Sequence, residues 1–256
     1  MSHPAAEFIT KVKSGETVFG YWSVLDSPIS TERLGMTGYD YIAIDGQHGL
    51  LGYSGILSNL MAIDAAYGPA GLVRVEANDA AVIGQALDAG ARGVIVPLVN
   101  SADDARKAVR ASRYPGKGLR SYGPMRSGLR VGPIPAASDA SVLVLVMIET
   151  TEGLANVEEI CAVDGIDGVY IGPSDLCLAV GGKFPNDPDV AEDFNAALER
   201  VKKAAHDNDL IAAIHTPNGE TARQRASQGF TFITVASDLT HLEQAARDHL
   251  AKARGN

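Results

Sequence analysis

The sequence predicts an α/β fold, a (β/α)8 TIM barrel that forms one domain over residues 1–256. Eight short apolar segments alternate with amphipathic helical patterns, and 256 residues is an ordinary length for eight βα units. Several of the apolar segments lack polar alternation, which is typical of parallel strands buried on both faces. A doubly wound open sheet shows the same alternation of strands and helices and stays the competing architecture.

The predicted strands are runs of apolar and β-branched residues, most of them bounded by Gly, Pro, Asp or Asn. In chain order they cover residues 17–22, 41–44, 71–75, 93–96, 142–148, 168–171, 211–214 and 232–235. Helical patterns fill the intervals, at residues 55–66, 80–89, 102–113, 151–160, 188–206, 221–228 and 239–253. Asn78-Asp79 stands directly before one helical pattern, where such side chains favour an N-cap, and Ser101 stands directly before the next pattern.

The connection between the fourth and fifth strands, residues 114–140, is long and irregular. It is rich in Gly, Pro and Arg and carries Arg120, Arg126 and Arg130 in an otherwise acidic chain. Connections of this length are uncommon and are often functional, for example as lids. A surface loop that contains one short helix is the equally weighted alternative.

Composition excludes several classes of protein. The chain has 22 basic and 31 acidic residues and a formal net charge of −9, which disfavours nucleic-acid and anionic-membrane partners. Its two cysteines form no CxxC pair and predict neither a disulfide framework nor a zinc site. Residues 1–10 lack an apolar signal-peptide core, and the longest strongly apolar run, residues 142–148, is too short to span a bilayer. We therefore expect a cytoplasmic protein whose partners are small molecules.

Charged side chains follow several predicted strands at their carboxyl ends, where barrels carry their active sites. Asp45 and His48 follow the second strand, Arg74 lies in the third, Glu149 follows the fifth, and Asp175 comes shortly after the sixth. A charge at the end of an apolar strand has to be solvated or paired. Several such charges on one rim predict a functional site.

Glu149 and Asp175 follow adjacent strands, so their carboxylates can approach one point. Such an oxygen-rich site suits Mg²⁺ or Mn²⁺, with Co²⁺ possible, because these ions typically take one or two protein carboxylates together with water and substrate. For each residue alone an alternative stays open: Asp175 as a helix N-cap and Glu149 as a charge in the first turn of a helix.

His48, Arg74 and Asp88 each have two interpretations. His48 is a candidate base that Asp88 would orient if the chain folds back, but a histidine in a loop is more often simply solvated. Arg74 can bind an anionic substrate oxygen or form a salt bridge with Asp45 or Glu149. The absence of GxGxxG after the first strand, and of a P-loop motif, leaves nucleotide binding without support.

At these residues the chain resembles the HpcH/HpaI family of metal-dependent, class II pyruvate aldolases, which act on 4-hydroxy-2-oxo acids. The matching segments run in the family's order over nearly the whole chain. They are residues 39–48 (YDYIAIDGQH), 72–75 (LVRV), 78–79, 87–91 (LDAGA), 96–97, 113–115, 148–150 (IET) and 165–176 (GIDGVYIGPSDL).

The resemblance implies a role for each candidate residue. Glu149 and Asp175 match the metal ligands, and Arg74 matches the arginine that binds the pyruvate oxygen. His48 and Asp88 match an acid/base dyad. Asp45 matches an acid that lies beside a metal-bound water in the family. The turn Pro173-Ser174-Asp175 matches the turn whose backbone amides bind the pyruvate carboxylate.

The resemblance also implies a homohexamer in which the last helix is exchanged between subunits. The implied reaction is the reversible cleavage of a 4-hydroxy-2-oxo acid to pyruvate, or a close 2-oxo acid, and an aldehyde, through a metal-stabilised enolate. No predicted strand ends in Lys, which disfavours a Schiff-base aldolase. Two alternatives stay open: a related carbon–carbon lyase acting on acyl-CoA thioesters, similar to citrate lyase β and malyl-CoA lyase, and a non-catalytic binder of 2-oxo acids.

Three positions depart from the family's pattern. Gln47 stands where Glu is common, Met147 where Gln is common, and Ser121 where Gly is usual. These changes bear on the surroundings of the metal ion and leave the identity of the acceptor aldehyde open.

Overall fold

The computed structural model describes residues 5–255 and closes eight parallel strands into one barrel. Each strand pairs with the next in the chain, and the last pairs with the first through contacts such as Val18 with Phe232. An open sheet has two unpaired edges, whereas this sheet has none, so the predicted (β/α)8 barrel is confirmed.

The strands are close to those predicted, with ends that differ by two residues at most. They are β1 (Val18–Ser23), β2 (Tyr41–Asp45), β3 (Ala70–Arg74), β4 (Gly93–Val96), β5 (Leu143–Ile148), β6 (Gly168–Ile171), β7 (Ile211–Thr216) and β8 (Phe232–Ser237).

The helices include several short ones that the sequence pattern does not reveal. They are α1 (Ala5–Lys13), α2 (Pro28–Gly35), α3 (Tyr53–Ala65), α4 (Ala80–Asp88), α5 (Ala102–Ser112), α6 (Ser127–Arg130), α7 (Pro135–Ala140), α8 (Thr151–Ala155), α9 (Val157–Cys161), α10 (Pro173–Ala179), α11 (Ala191–His206), α12 (Gly219–Ser227) and α13 (Asp238–Ala253), with a 3₁₀ turn at Pro188–Val190. Among them, α6, α7 and α10 have only four, six and seven residues, which are too few turns to display an amphipathic period. None of the helices within residues 5–255 is long and apolar enough to cross a membrane.

The apolar core has two layers because each strand is buried on both faces. Along β2, Tyr41 and Ala43 point into the barrel, whereas Ile42 and Ile44 pack against the surrounding helices. Inside the barrel the ring of Tyr41 stacks on that of Phe232 with centroids 4.2 Å apart. Since both faces are apolar, the strands read as continuous apolar runs in the sequence.

Gly20 of β1 offers a test of this packing. A Cβ added there would lie 2.1 Å from the ring of Tyr41, which is fully buried and stacked on Phe232. We expect Gly20→Ala to lower the free energy of unfolding by about 1–3 kcal/mol in urea denaturation, as overpacking does. The matched control is Gly84→Ala in α4, where nothing lies within 4 Å of the added Cβ and helix propensity predicts a gain of about 0.5–1 kcal/mol. Equal effects of the two changes would contradict the packing.

The arginine-rich connection between β4 and β5 lies at the amino ends of the strands. It contains two short helices, α6 and α7, rather than the one predicted. Arg120 donates to Asp88 at 2.6 Å and lies over the ring of Tyr114, while Arg126 pairs with Asp64. The connection is therefore held against the end of the barrel opposite the carboxyl rim, and it forms no lid over the rim of its own chain.

Candidate active site

Asp45 and Arg74 form a buried ion pair at the carboxyl ends of β2 and β3. The two residues are direct partners in the register of these strands. Arg74 Nε donates to Asp45 Oδ1 at 2.8 Å, and Arg74 Nη2 donates to Asp45 Oδ2 at 2.5 Å. Only 2% of Asp45 and 8% of Arg74 is exposed, so this forked pair is buried. Of the two salt-bridge partners considered for Arg74, Asp45 and Glu149, the structure shows Asp45.

Trp22, at the end of β1, completes the surroundings of this pair. Its indole Nε1 donates to Asp45 Oδ2 at 3.1 Å, and its ring lies against the guanidinium of Arg74 at 5.0 Å. The backbone N–H of His48 also donates to Asp45 Oδ1, at 3.1 Å. Burial alone would raise the pKa of Asp45, but the hydrogen bonds and charge of Arg74, with these two donors, bring the pKa below its usual value. Asp45 is therefore ionised and fixes the orientation of Arg74.

Glu149 follows β5 directly and has one oxygen without a partner. Its Oε1 accepts the backbone N–H of Leu98 at 2.9 Å, whereas its buried Oε2 has no hydrogen bond to the described residues. Leu98 has φ of 54°, in the left-handed region that branched side chains rarely adopt, and this conformation presents its amide to Glu149. Burial, and then the negative charge of Asp175, raise the pKa of Glu149. A buried, unpaired carboxylate oxygen is costly and calls for a cation.

The turn after β6 lies directly beside Glu149. A Cβ at Gly172 would come within 2.5 Å of Glu149 Oε2, so only glycine leaves that oxygen room. Pro173, Ser174 and Asp175 follow in the first turn of α10, and they line a cavity of about 220 Å³ at the carboxyl rim. Asp175 therefore lines this cavity, and Glu149 Oε2 lies directly beside Gly172 of the cavity wall.

Two histidines face the same cavity. His48 is exposed in the loop after β2, and its imidazole makes no hydrogen bond to the described residues. His215 lies in β7, edge-on to Trp22 with ring centroids 5.5 Å apart, and its Nδ1 is buried without a hydrogen-bond partner among the described residues. Burial, and then the charge of Arg74, lower the pKa of His215 to about 4. His215 is therefore a neutral imidazole.

The structure does not bring Asp88 to His48 within one chain. Asp88 is the last residue of α4, which returns the chain to the amino end of β4, whereas His48 follows the carboxyl end of β2. The carboxylate of Asp88 accepts from Arg120 instead. The two members of the expected dyad thus lie at opposite ends of the barrel.

Three residues of the site have no role in the sequence analysis. Trp22, Tyr170 and His215 line the cavity beside the predicted residues, together with Met147, which the sequence marks as a departure from the family's pattern. Trp22 and His215 lie near the carboxyl ends of their strands, which is the signal that could have found them, whereas nothing in the sequence shows the strained amide of Leu98.

The donor set at the cavity fits a divalent metal ion. The unpaired Oε2 of Glu149 and the carboxylate of Asp175 are hard oxygen donors, and Mg²⁺ and Mn²⁺ commonly bind to one or two such groups while keeping water or substrate ligands. Within residues 5–255 no group of three or more His, Cys, Asp or Glu side chains forms a closed cage. The residues thus suit an ion that completes its coordination with substrate.

Known proteins resemble this chain over most of its length. Residues 18–245 match the family model described as HpcH/HpaI aldolase/citrate lyase. The chain is 39% identical to a hydroxypyruvate/pyruvate aldolase of Rhizorhabdus wittichii over 94% of its length and 95% of the relative. It is 36% identical to a 4-hydroxy-2-oxo-heptane-1,7-dioate aldolase of Klebsiella pneumoniae over 97% of its length and 94% of the relative.

The fold leads to the same group of proteins. The crystal structure of a HpcH/HpaI aldolase/citrate lyase family protein from Burkholderia cenocepacia superposes with a TM-score of 0.87 at 32% identity, covering 97% of this chain and 99% of that one. The family model spans most of the chain, and the relatives exceed 30% identity over nearly its full length. This protein therefore belongs to the HpcH/HpaI aldolase/citrate lyase family.

Proposed function

We propose that this protein is a divalent-metal-dependent aldolase. It reversibly cleaves 4-hydroxy-2-oxo acids to pyruvate, or a close 2-oxo acid, and an aldehyde. The relatives described above are named aldolases, which are carbon–carbon lyases. The observation that carries the proposal is the buried, unpartnered Oε2 of Glu149, beside Asp175 and within reach of the charge of Arg74.

Glu149 and Asp175 would hold the ion, with Mg²⁺ or Mn²⁺ the expected metals. When bound, the ion acts as a Lewis acid that stabilises the negative charge developing on the keto oxygen of the substrate. Arg74 adds a cation of fixed orientation. Its Nε and Nη2 are held by Asp45, which leaves Nη1 to donate to that same oxygen.

The carboxylate of the 2-oxo acid would bind the turn after β6. Ser174 and Asp175 stand in the first turn of α10, where backbone N–H groups have no partner within the helix. Pro173 has no N–H, so it shapes the turn and contributes no donor. An acid bound there has its keto oxygen facing the Glu149–Asp175 pair and Arg74.

His48 would move the proton. Cleavage requires a base to take the proton of the 4-hydroxyl group, and condensation requires an acid to return it. The imidazole of His48 faces the cavity without a partner, and its backbone is fixed through Asp45. Histidine is the side chain that most often carries out such proton transfers in enzymes.

Asp88 can orient His48 only from another copy of the chain, and we include such a homo-oligomer, a hexamer by family resemblance, in the proposal. Its support is exposed apolar surface. Met125 and Leu129 in the connection between β4 and β5 are 87% and 80% exposed, and Leu242 and Leu250 in α13 are also exposed. Large exposed apolar side chains that cluster within a segment are typical of subunit interfaces. The exposure of α13 agrees with its exchange between subunits.

The acyl-CoA lyase alternative has less support. It requires a basic pocket for the nucleotide, and the arginine-rich connection was the candidate. Arg120 is paired with Asp88, and both Arg126 and Arg130 are paired with Asp64. These three arginines thus share two carboxylates within the chain, and they lie at the end of the barrel away from the cavity.

The proposal is tested by proton exchange at the methyl group of pyruvate, followed by NMR in D₂O. The protein is stripped with EDTA and then supplied with Mg²⁺ or Mn²⁺, with metal alone as the blank. We expect exchange only with protein and metal together, because exchange requires formation of the enolate. Absence of both exchange and single-turnover aldol product with either metal would refute the aldolase assignment, and pyruvate binding without either would favour a non-catalytic binder.

A further inference from the structure

His215 is a polar side chain of the cavity that the proposed mechanism does not use. It lies in β7, opposite Thr234 of β8, and contacts the ring of Trp22. Its Nδ1 is buried and has no hydrogen-bond partner among the described residues. Because Nδ1 is buried and His215 belongs to the cavity lining, Nε2 is the ring nitrogen that a ligand in the cavity can reach.

The imidazole is uncharged and carries one proton. Burial and the Arg74 guanidinium disfavour its protonated form more strongly than Asp45 favours it. We assign the single proton to Nε2, because Nδ1 has no acceptor within reach. His215 thus offers the cavity an N–H donor without a positive charge.

The position of His215 relates it to the aldehyde half of the substrate. The 2-oxo acid half is bound, in the proposed function, by Glu149, Asp175 and the turn after β6. The part of the substrate beyond the reacting bond then occupies the other side of the cavity, which is lined by Trp22, His215 and Ser237 of β1, β7 and β8.

The other polar groups on this side already have partners. The indole N–H of Trp22 donates to Asp45. The hydroxyl of Ser237 pairs with that of Thr240 at 2.8 Å and caps α13. His215 is therefore the group on this side with unused hydrogen-bonding capacity among the described residues.

We propose, resting on the aldolase function above, that His215 determines specificity by donating a hydrogen bond from Nε2 to a hydroxyl group of the acceptor aldehyde. The preferred acceptor is then hydroxylated and uncharged. A neutral donor does not compensate a second carboxylate, and Arg74, the cation in the cavity wall, is already shared with Asp45. A site built to bond a hydroxyl rejects the analogue that lacks it, because the donor is left unpaired.

The test compares two aldehydes of nearly equal size, glycolaldehyde and propanal, in condensation with saturating pyruvate. The wild-type protein is expected to have the higher kcat/KM with glycolaldehyde. His215→Leu should lower that value by about 10- to 100-fold, the effect of one buried hydrogen bond, and change the value for propanal by less than about threefold. His215→Gln, whose amide can place a donor near Nε2, should restore part of the preference. Succinic semialdehyde, which carries a second carboxylate, is expected to be a poor acceptor for the wild type.

The controls separate this inference from the proposed function. His206→Leu makes the same change at an exposed site on α11, at the opposite end of the barrel, and should leave both values unchanged. Methyl exchange of pyruvate needs no aldehyde, so any loss of exchange in His215→Leu should be much smaller than its loss of kcat/KM with glycolaldehyde. Equal losses with both aldehydes would overturn the inference. A loss of exchange as large as the loss with glycolaldehyde, or a wild-type preference for succinic semialdehyde, would also overturn it, while wild-type exchange upholds the aldolase. Absence of exchange in the wild type would overturn both.

Discussion

Replacing Glu149 by Gln is expected to abolish metal-dependent exchange of the pyruvate methyl protons. The amide keeps the side-chain volume and can accept the Leu98 N–H, but it removes the negative charge at the unpaired Oε2. Loss of the several kcal/mol that a bound ion contributes corresponds to a fall of about 1000-fold in rate. The NMR exchange assay described above measures this directly.

The same variant should stay folded, which separates loss of the metal site from loss of structure. The charge of Glu149 is disfavoured by burial and by Asp175, so its removal relieves a cost in the metal-free protein. We expect the Tm without metal to be no lower than that of the wild type, and the rise in Tm on adding Mn²⁺ to disappear. Glu152→Gln, an exposed change in the next helix, should retain both exchange and the Tm shift. A Glu149→Gln protein that keeps the metal-induced shift would contradict the assignment of the ligand.

Replacing Asp45 by Ala is expected to cost about 3–5 kcal/mol in the free energy of unfolding at pH 7. The change leaves the buried guanidinium of Arg74 without its partner, and an uncompensated buried charge is strongly destabilising. Urea denaturation measures the difference. Asp103→Ala removes the partner of Arg106 from an exposed pair and should cost less than about 0.5 kcal/mol.

The cost of Asp45→Ala should depend on pH in a defined direction. The pKa of Asp45 is lowered in the folded protein, so the unfolded chain takes up the proton first as the pH falls. The stabilisation by ionised Asp45 is therefore complete above the unfolded pKa of about 3.9 and is lost as the pH falls through the lower folded value. The difference between wild type and variant should be constant from pH 6 to pH 7 and shrink below about pH 4. A difference that grows on acidification would show that the pair does not stabilise through the charge of Asp45.

Much of the fold and the composition of the site could be predicted from the sequence. Strands buried on both faces read as unbroken apolar runs, and their number and spacing indicate a barrel. In such a barrel all carboxyl ends meet at one rim, so residues that follow different strands, such as Glu149 and Asp175, could be placed together before any side-chain contact was known.

What could not be predicted depends on register and on the direction of the elements. The partner of Arg74 stayed open between Asp45 and Glu149, because it is set by the alignment of β2 with β3. Asp88 was placed beside His48 from resemblance, whereas the end of a helix lies at the opposite rim from the end of a strand. The left-handed backbone of Leu98 is imposed by tertiary packing and has no signal in the sequence.

We propose that Glu149 and Asp175 together bind the catalytic metal ion. Anomalous diffraction from crystals grown with Mn²⁺ and pyruvate can locate that ion. We expect one strong anomalous peak within coordinating distance of Glu149 Oε2 and the Asp175 carboxylate, with the pyruvate keto oxygen on the side of Arg74. A peak bound by other residues, or pyruvate bound in the cavity of an active crystal without a metal beside Glu149, would contradict it.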